Sequence, residues 1–210
     1  NEANVQFLSD LIKLLGAKDK YSASEEDDIL RAVRAMLDTP MHLRSMGNFQ
    51  KSLPNLGDDS LFARMRKWTN AGSLGWVFDN PKDTIDFQRA NIIGFDYTEV
   101  IDNPEVRTPV INYLLHRLEE LIDGRPLIYV MDEFWKILDG QGGLKEFAKN
   151  KQKTIRKQNG LGIFATQSPE DALKSDIAAA LIEQTATMIL LPNPSADKRD
   201  YIDGLKLTEA

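Results

Sequence analysis

Leu127-Ile128-Tyr129-Val130-Met131 is the stretch that most narrows what this chain can fold into. Five consecutive apolar residues are too few for a helix, and they carry no polar alternation. A strand with one wet face alternates apolar and polar positions. A strand buried on both faces does not, and such strands belong to parallel sheets covered by helices. The run is therefore expected as a central strand. Gly124-Arg125-Pro126 breaks the helical pattern before it, and residues 161–165, entered through Gly160, form a second run of the same kind. Residues 186–191, closed by Pro192-Asn193-Pro194, are expected as a third strand, and 91–95 as a short apolar run at the start of the sheet region. Helical patterns at 104–122, with Val110, Leu114, Leu118 and Leu121 as its stripe, and at 143–157 and 169–183 fill the intervals. Strand, helix, strand, helix, strand at this spacing means βαβ units and a mainly parallel α/β sheet.

The first part of the chain has a different texture. Up to residue 86 it reads as helix after helix. Val5, Leu8, Leu11, Ile12 and Leu15 recur at helical spacing, with Gly16 as the stop. Ser24 is the expected N-cap of a second helix, whose stripe is Ile29, Val33, Met36 and Leu37 and which ends before Pro40. Asp58-Asp59-Ser60 opens another helix, with Leu61, Met65 and Trp68 on one face, and residues 72–81 form a loop carrying Trp76 and Phe78. The expected organisation is an all-helical subdomain at 1–86 and a sheet-bearing core at 87–210.

Composition excludes several classes of function. The chain has no cysteine, so disulfides and thiolate-bound metals are out. Its two histidines, His42 and His116, lie far apart in sequence, which argues against a histidine metal cluster. A net charge of -6 does not suit a protein that coats nucleic acid, although a local basic patch remains compatible with it. No apolar run approaches the roughly 18 residues of a membrane span. Asn1-Glu2-Ala3-Asn4 has neither the basic start nor the apolar stretch of a signal peptide, and it lacks an initiator Met. The chain is expected to be a fragment of a longer protein.

In parallel α/β sheets the chemistry collects where strands end. After Met131 come Asp132 and Glu133, which makes the Walker B pattern of an apolar strand followed by paired carboxylates. Such a strand can aim the first carboxylate at the shell of a magnesium ion and let the second polarise an attacking water. The plain alternative is that the pair caps a helix beginning at Phe134. After Ala165 come Thr166-Gln167-Ser168-Pro169. The Gln167 amide could orient a water or sense a γ-phosphate, while Ser168 and Pro169 suit a helix start. Between 145 and 157 there are six basic residues and one acid, Glu146. Most of these lysines read as a solvated helix face. Arg156 and Lys157 stand at the helix end, where the dipole favours cations in any protein and from which an arginine could reach phosphate across a subunit boundary.

At these residues the chain resembles a known family. The run from Arg125 to Leu138, RPLIYVMDEFWKIL, resembles the Walker B segment of type IV secretion ATPases of the VirB/TrbE/CagE kind. KTIRKQNG at 153–160 is similar to their basic motif, and FATQSPEDAL at 164–173 and LLPNP at 190–194 to their later signatures. WVFDN at 76–80 and HRLE at 116–119 fit as well. The resemblance implies a RecA-like P-loop NTPase core with an all-α subdomain in its N-terminal half. It implies a cytoplasmic ring, a hexamer or similar, peripheral at the bacterial inner membrane. Such a ring would bind ATP and Mg²⁺, contact other secretion components and transiently a DNA or protein substrate, and power pilus assembly and export. Carried onto this chain, Asp132 would hold Mg²⁺ through water, Glu133 would be the catalytic carboxylate and Gln167 the γ-phosphate sensor. Arg156 would contact phosphate or act between subunits, with Lys157 beside it at the nucleotide. One part of the pattern is absent: there is no Gly-Lys dipeptide, hence no phosphate-binding loop. The family sets that loop ahead of the helical insertion, so it is expected upstream of residue 1, and the chain by itself is expected not to hydrolyse ATP. A DNA-translocating ATPase of the FtsK/HerA or coupling-protein group shares the Walker B pattern and the strand-end glutamine, and a non-catalytic docking module is the third reading.

Overall fold

The computed structural model of the chain describes residues 2–87, 90–133, 155, 157–167, 170, 173, 182–194, 197 and 199–205. These fall into two compact units, Asn1–Tyr113 and Leu114–Ala210. The boundary expected at residue 86 lies inside the first unit, and residues 87–113 cluster with the helices.

The first unit is built from short helices. α1 (Glu2–Gly16) buries Val5, Leu11, Ile12 and Leu15. It ends differently from expectation. Ala17, not Gly16, takes the left-handed position, at φ 48°. Gly16 is needed for close approach, because a Cβ there would stand 2.2 Å from the Tyr21 hydroxyl. That hydroxyl donates to the Lys13 carbonyl at 2.7 Å, and Arg64 Nη1 donates to the Gly16 and Ala17 carbonyls at 3.2 and 3.1 Å. A cation and a phenol thus satisfy carbonyls that the helix end leaves unpaired. α2 (Ala23–Asp38) starts two residues earlier than the Ser24 cap implied: Ser22 is the N-cap and forms a reciprocal capping box with Glu25. Its stripe buries Ile29, Ala32 and Val33, and it stops before Pro40 as expected.

Ser45 caps α3 (Met46–Lys51), and Ser60 caps α4 (Leu61–Met65), which tightens into a 3-10 turn at Arg66–Trp68. Leu15, Ile29, Phe49, Leu53, Leu61, Met65 and Trp68 make one core with α1 and α2. At the ordinary coefficient each such side chain contributes about 1.5–3 kcal/mol. Trp68 is 1% exposed; its indole N–H donates to the Leu15 carbonyl at 2.9 Å. The expected loop at 72–81 contains a one-turn helix, α5 (Gly75–Phe78). Just after it, buried Asp79 accepts the Met46 and Asn70 backbone N–H groups, each at 2.7 Å. One carboxylate therefore ties the α5 loop to the start of α3. Another short helix, α6 (Thr98–Ile101), precedes α7 (Pro104–Glu119), which follows the expected helix closely. The expected stripe of α7 is displaced, however. Val110, Leu114 and Leu118 are half-buried, between a buried row of Val106 and Pro109 and a second of Ile111 and Leu115. At 3.6 residues per turn the expected positions form the seam between two covered faces.

In the second unit β1 (Leu127–Met131) pairs parallel with β2 (Gly160–Phe164), Leu127 opposite Gly160 and Met131 opposite Phe164. On one face Tyr129 is buried and crosses over Gly162, where a Cβ would be 2.4 Å from the tyrosine hydroxyl. Its ring meets Phe164 edge-on, with centroids 5.9 Å apart. The other face is open: Ile128 and Val130 are each 64% exposed, and Leu161 and Ile163 are exposed beside them. The expectation of a central strand covered on both sides is thus corrected among the described residues. So is the strand expected at 186–191, which is irregular; the apolar run at 91–95 is irregular as well, and the apolar side chains of both, Ile189 and Ile92 foremost, are exposed. Among the described residues the sheet has two strands, and one of its faces is covered while the other is open. Of the helix expected at 143–157, Ile155 and Lys157 are described and helical; its other residues lie outside the described ones.

Candidate functional site

The parallel register decides what meets at the carboxyl edge of the sheet. Met131 stands opposite Phe164, and the Ala165 N–H donates to the Met131 carbonyl at 2.9 Å. The ladder therefore continues one residue beyond the strands. Asp132 and Glu133 leave β1 along the same edge from which Thr166 and Gln167 leave β2. Three of the residues singled out from sequence, Asp132, Glu133 and Gln167, are brought to one edge in this way. Asp132 and Gln167 are exposed and Glu133 is partly exposed.

The backbone here is unusual in a way the sequence does not disclose. Glu133 sits at φ 47°, in the left-handed region, and its N–H donates to Asp132 Oδ1 at 2.9 Å. A glutamate in that region carries strain on the order of 1–3 kcal/mol, of the kind that gathers at functional sites. An N-cap residue typically takes extended backbone, and the Glu133 backbone differs from that. The Asp132 carboxylate accepts the N–H of its neighbour and so helps hold the turn that presents Glu133.

Lys157 is exposed on the last helical turn before β2. Arg156, the candidate phosphate-contacting or intersubunit arginine, lies outside the described residues. Among the described residues no group of three His, Cys, Asp or Glu gathers to hold a metal. A magnesium ion at this edge would therefore rely on Asp132 with water and phosphate oxygens. An exposed carboxylate at a strand end suits that, because Mg²⁺ keeps most of its waters.

Sequence reading missed one contact at the opposite edge. Asn159 is left-handed at φ 61°, and its side-chain Nδ2 donates to the Gly124 carbonyl at 2.8 Å. The available signal is the Asn159-Gly160 pair between a helical pattern and an apolar run, since asparagine is among the residues that accept a left-handed backbone.

Comparison with known proteins places these features in a family. The model for the TraG P-loop domain matches residues 50–207. The type IV secretion system protein virB4 of Brucella abortus biovar 1 is 43% identical over 218 residues, covering 98% of this chain and 26% of its own length. The type IV secretion system protein PtlC of Bordetella pertussis is 42% identical over 218 residues, covering 99% of this chain and 26% of its own length. The chain thus spans about a quarter of the length of the curated relatives it matches. The solved structure of VirB4 of Thermoanaerobacter pseudethanolicus superposes with a TM-score of 0.73 at 19% identity, over 99% of this chain and 61% of that one, which establishes the shared fold. No helix among the described residues is long and apolar enough to cross a membrane. With the family model running through both strands and the loops at their carboxyl ends, the chain belongs to the TraG P-loop domain family.

Proposed function

We propose that the chain is the carboxylate-bearing part of the ATPase domain of a type IV secretion motor, working within a longer protein. The observation that carries this reading is the edge shared by Asp132, Glu133 and Gln167, set by the β1–β2 register. The names of the relatives, virB4 and PtlC, supply the setting. In this reading residues 1–86 are a helical subdomain inserted into the ATPase domain and 87–210 belong to its core. The sequence holds no Gly-Lys pair, so the phosphate cradle is contributed by another part of the longer protein, and the 210-residue chain is inactive alone.

Asp132 holds Mg²⁺ through water and steadies the Glu133 turn through that residue's N–H. When bound, the ion offsets the phosphate charge. Glu133 accepts a proton from the attacking water, and the Gln167 amide orients that water against the γ-phosphate. Arg156 reaches phosphate from its own or a neighbouring subunit, with Lys157 beside it. The parent assembles as a ring, a hexamer or similar, on the cytoplasmic side of the inner membrane, among other secretion components, and contacts its DNA or protein cargo transiently.

The test uses the full-length parent. Glu133→Gln keeps shape but loses the proton acceptor, so turnover should fall at least about a hundredfold while nucleotide binding persists. Asp132→Asn should also weaken magnesium-dependent binding, and Gln167→Ala should slow turnover more than it weakens affinity. Arg156→Ala mixed with wild-type subunits should depress activity beyond dilution if the arginine acts in trans. Retained turnover in Glu133→Gln would overturn the reading.

A further inference from the structure

We infer that Asn159 is a positioning residue for this reaction, acting on the carboxylate edge from the far end of the sheet. The inference rests on the functional reading above and adds a residue to it.

The starting point is a problem of register. Both strands are largely apolar on their two faces, so the pattern that normally penalises a slipped register is weak here. Yet the register decides which residues leave the two strands side by side. The structure supplies two locks. One is the Tyr129 ring crossing Gly162, the residue opposite it in the ladder. The other is Asn159, which grips the entry to β1 at two points. Its side-chain Nδ2 donates to the Gly124 carbonyl at 2.8 Å, and its own carbonyl accepts the Leu127 N–H at 3.2 Å. The left-handed backbone at φ 61° turns both groups toward the same strand. Asparagine tolerates that conformation better than most residues and carries a donor that glycine lacks.

The clamp fixes Leu127 against Gly160, and the ladder transmits that register over four residues, about 13 Å at the ordinary rise per residue. At the other end the Met131 carbonyl meets the Ala165 N–H, and Asp132-Glu133 emerge beside Thr166-Gln167. Loosening the entry should therefore blur the separation between the water-activating carboxylate and the amide. That lowers turnover while Asp132, Glu133 and Gln167 keep their own side chains.

A simpler role for Asn159 is to end the preceding helix, as left-handed residues often do. Substitution separates the two. Asn159→Gly keeps the left-handed backbone, the helix stop and the carbonyl that accepts the Leu127 N–H, but removes the side-chain grip on Gly124. Asn159→Asp keeps size and shape but turns a carboxylate toward the Gly124 carbonyl. In the full-length parent, both variants should lose turnover about tenfold to a hundredfold, with the KM for ATP within about twofold. Amide hydrogen exchange in the peptide covering 124–131 should speed up at least about tenfold, with or without nucleotide. Unchanged exchange in Asn159→Gly overturns the clamp. So does faster exchange with unchanged kcat, which would leave Asn159 a structural cap. Glu133→Gln, measured in parallel, tests the site itself: if that variant turns over normally the site reading fails, while the exchange result still decides the clamp.

Discussion

The helical unit and the strand-bearing unit treat their apolar side chains differently. In the first, Leu15, Ile29, Met65 and Trp68 are all but sealed. In the second, Tyr129 and Ile155 are sealed, while Ile128, Val130, Leu161 and Ile163 on the opposite sheet face are open. A helix needs cover on one stripe, and a few neighbouring helices can provide it within one local unit. A strand apolar on both faces needs a layer on each, and the described residues supply one. Among the described residues, stability is therefore expected to be local and helical, while the proposed site stands at the end of a ladder covered on one face.

The sharpest way to break that comparison is to cut both sides equally. Trp68→Ala should cost about 3–5 kcal/mol, because it empties a large buried volume and orphans the Leu15 carbonyl bond. Ile128→Ser, on the open face, should cost no more than about 0.5 kcal/mol. Urea unfolding of the 210-residue chain, followed by far-ultraviolet circular dichroism, measures both. Similar costs would mean that the open strand face is covered in solution.

A smaller effect is expected at Asp79. Its substitution by Ala leaves the Met46 and Asn70 N–H groups without their acceptor, at about 2–3 kcal/mol for the pair. The loss should appear in the same unfolding experiment, with faster amide exchange at the start of α3.

The capping box at Ser22 comes next. The Lys18 ammonium, followed by the Ser22 backbone N–H, pulls the Glu25 carboxyl from an ordinary 4.5 down to about 2. A folded-state value below the unfolded one stabilises above about pH 4.5, and that contribution fades as pH falls towards 2. Ser22→Ala should cost about 1 kcal/mol at neutral pH. Melting temperature followed from pH 6 to about pH 2 should drop less steeply in Glu25→Gln than in the wild type across this window. Identical slopes would remove Glu25 from the account.

The smallest prediction is a gain. Ala17 holds a left-handed backbone at the end of α1, and Ala17→Gly should raise stability by about 0.5–1 kcal/mol. The melting temperature of the chain checks the sign. A loss would mean that the added freedom of the unfolded glycine outweighs the relieved strain.

What the sequence by itself determined were the features that depend on short-range pattern. Helical spacing and capping chemistry marked α1, α2, α4 and α7 to within a few residues. The apolar runs marked β1 and β2, and the residues following each run marked Asp132, Glu133 and Gln167. Where pattern was ambiguous it failed. Residues 186–191 look like a strand because apolar runs do, yet a strand exists only where a neighbour accepts its hydrogen bonds. Ser24 looked like the cap of α2, but Ser22 is the residue with Glu25 three positions ahead to close the box. Only the tertiary structure decided the register, the left-handed turn at Glu133 and the grip of Asn159 on Gly124. Each depends on atoms far apart in the chain or on a backbone angle that the residue type disfavours, and no local pattern encodes either.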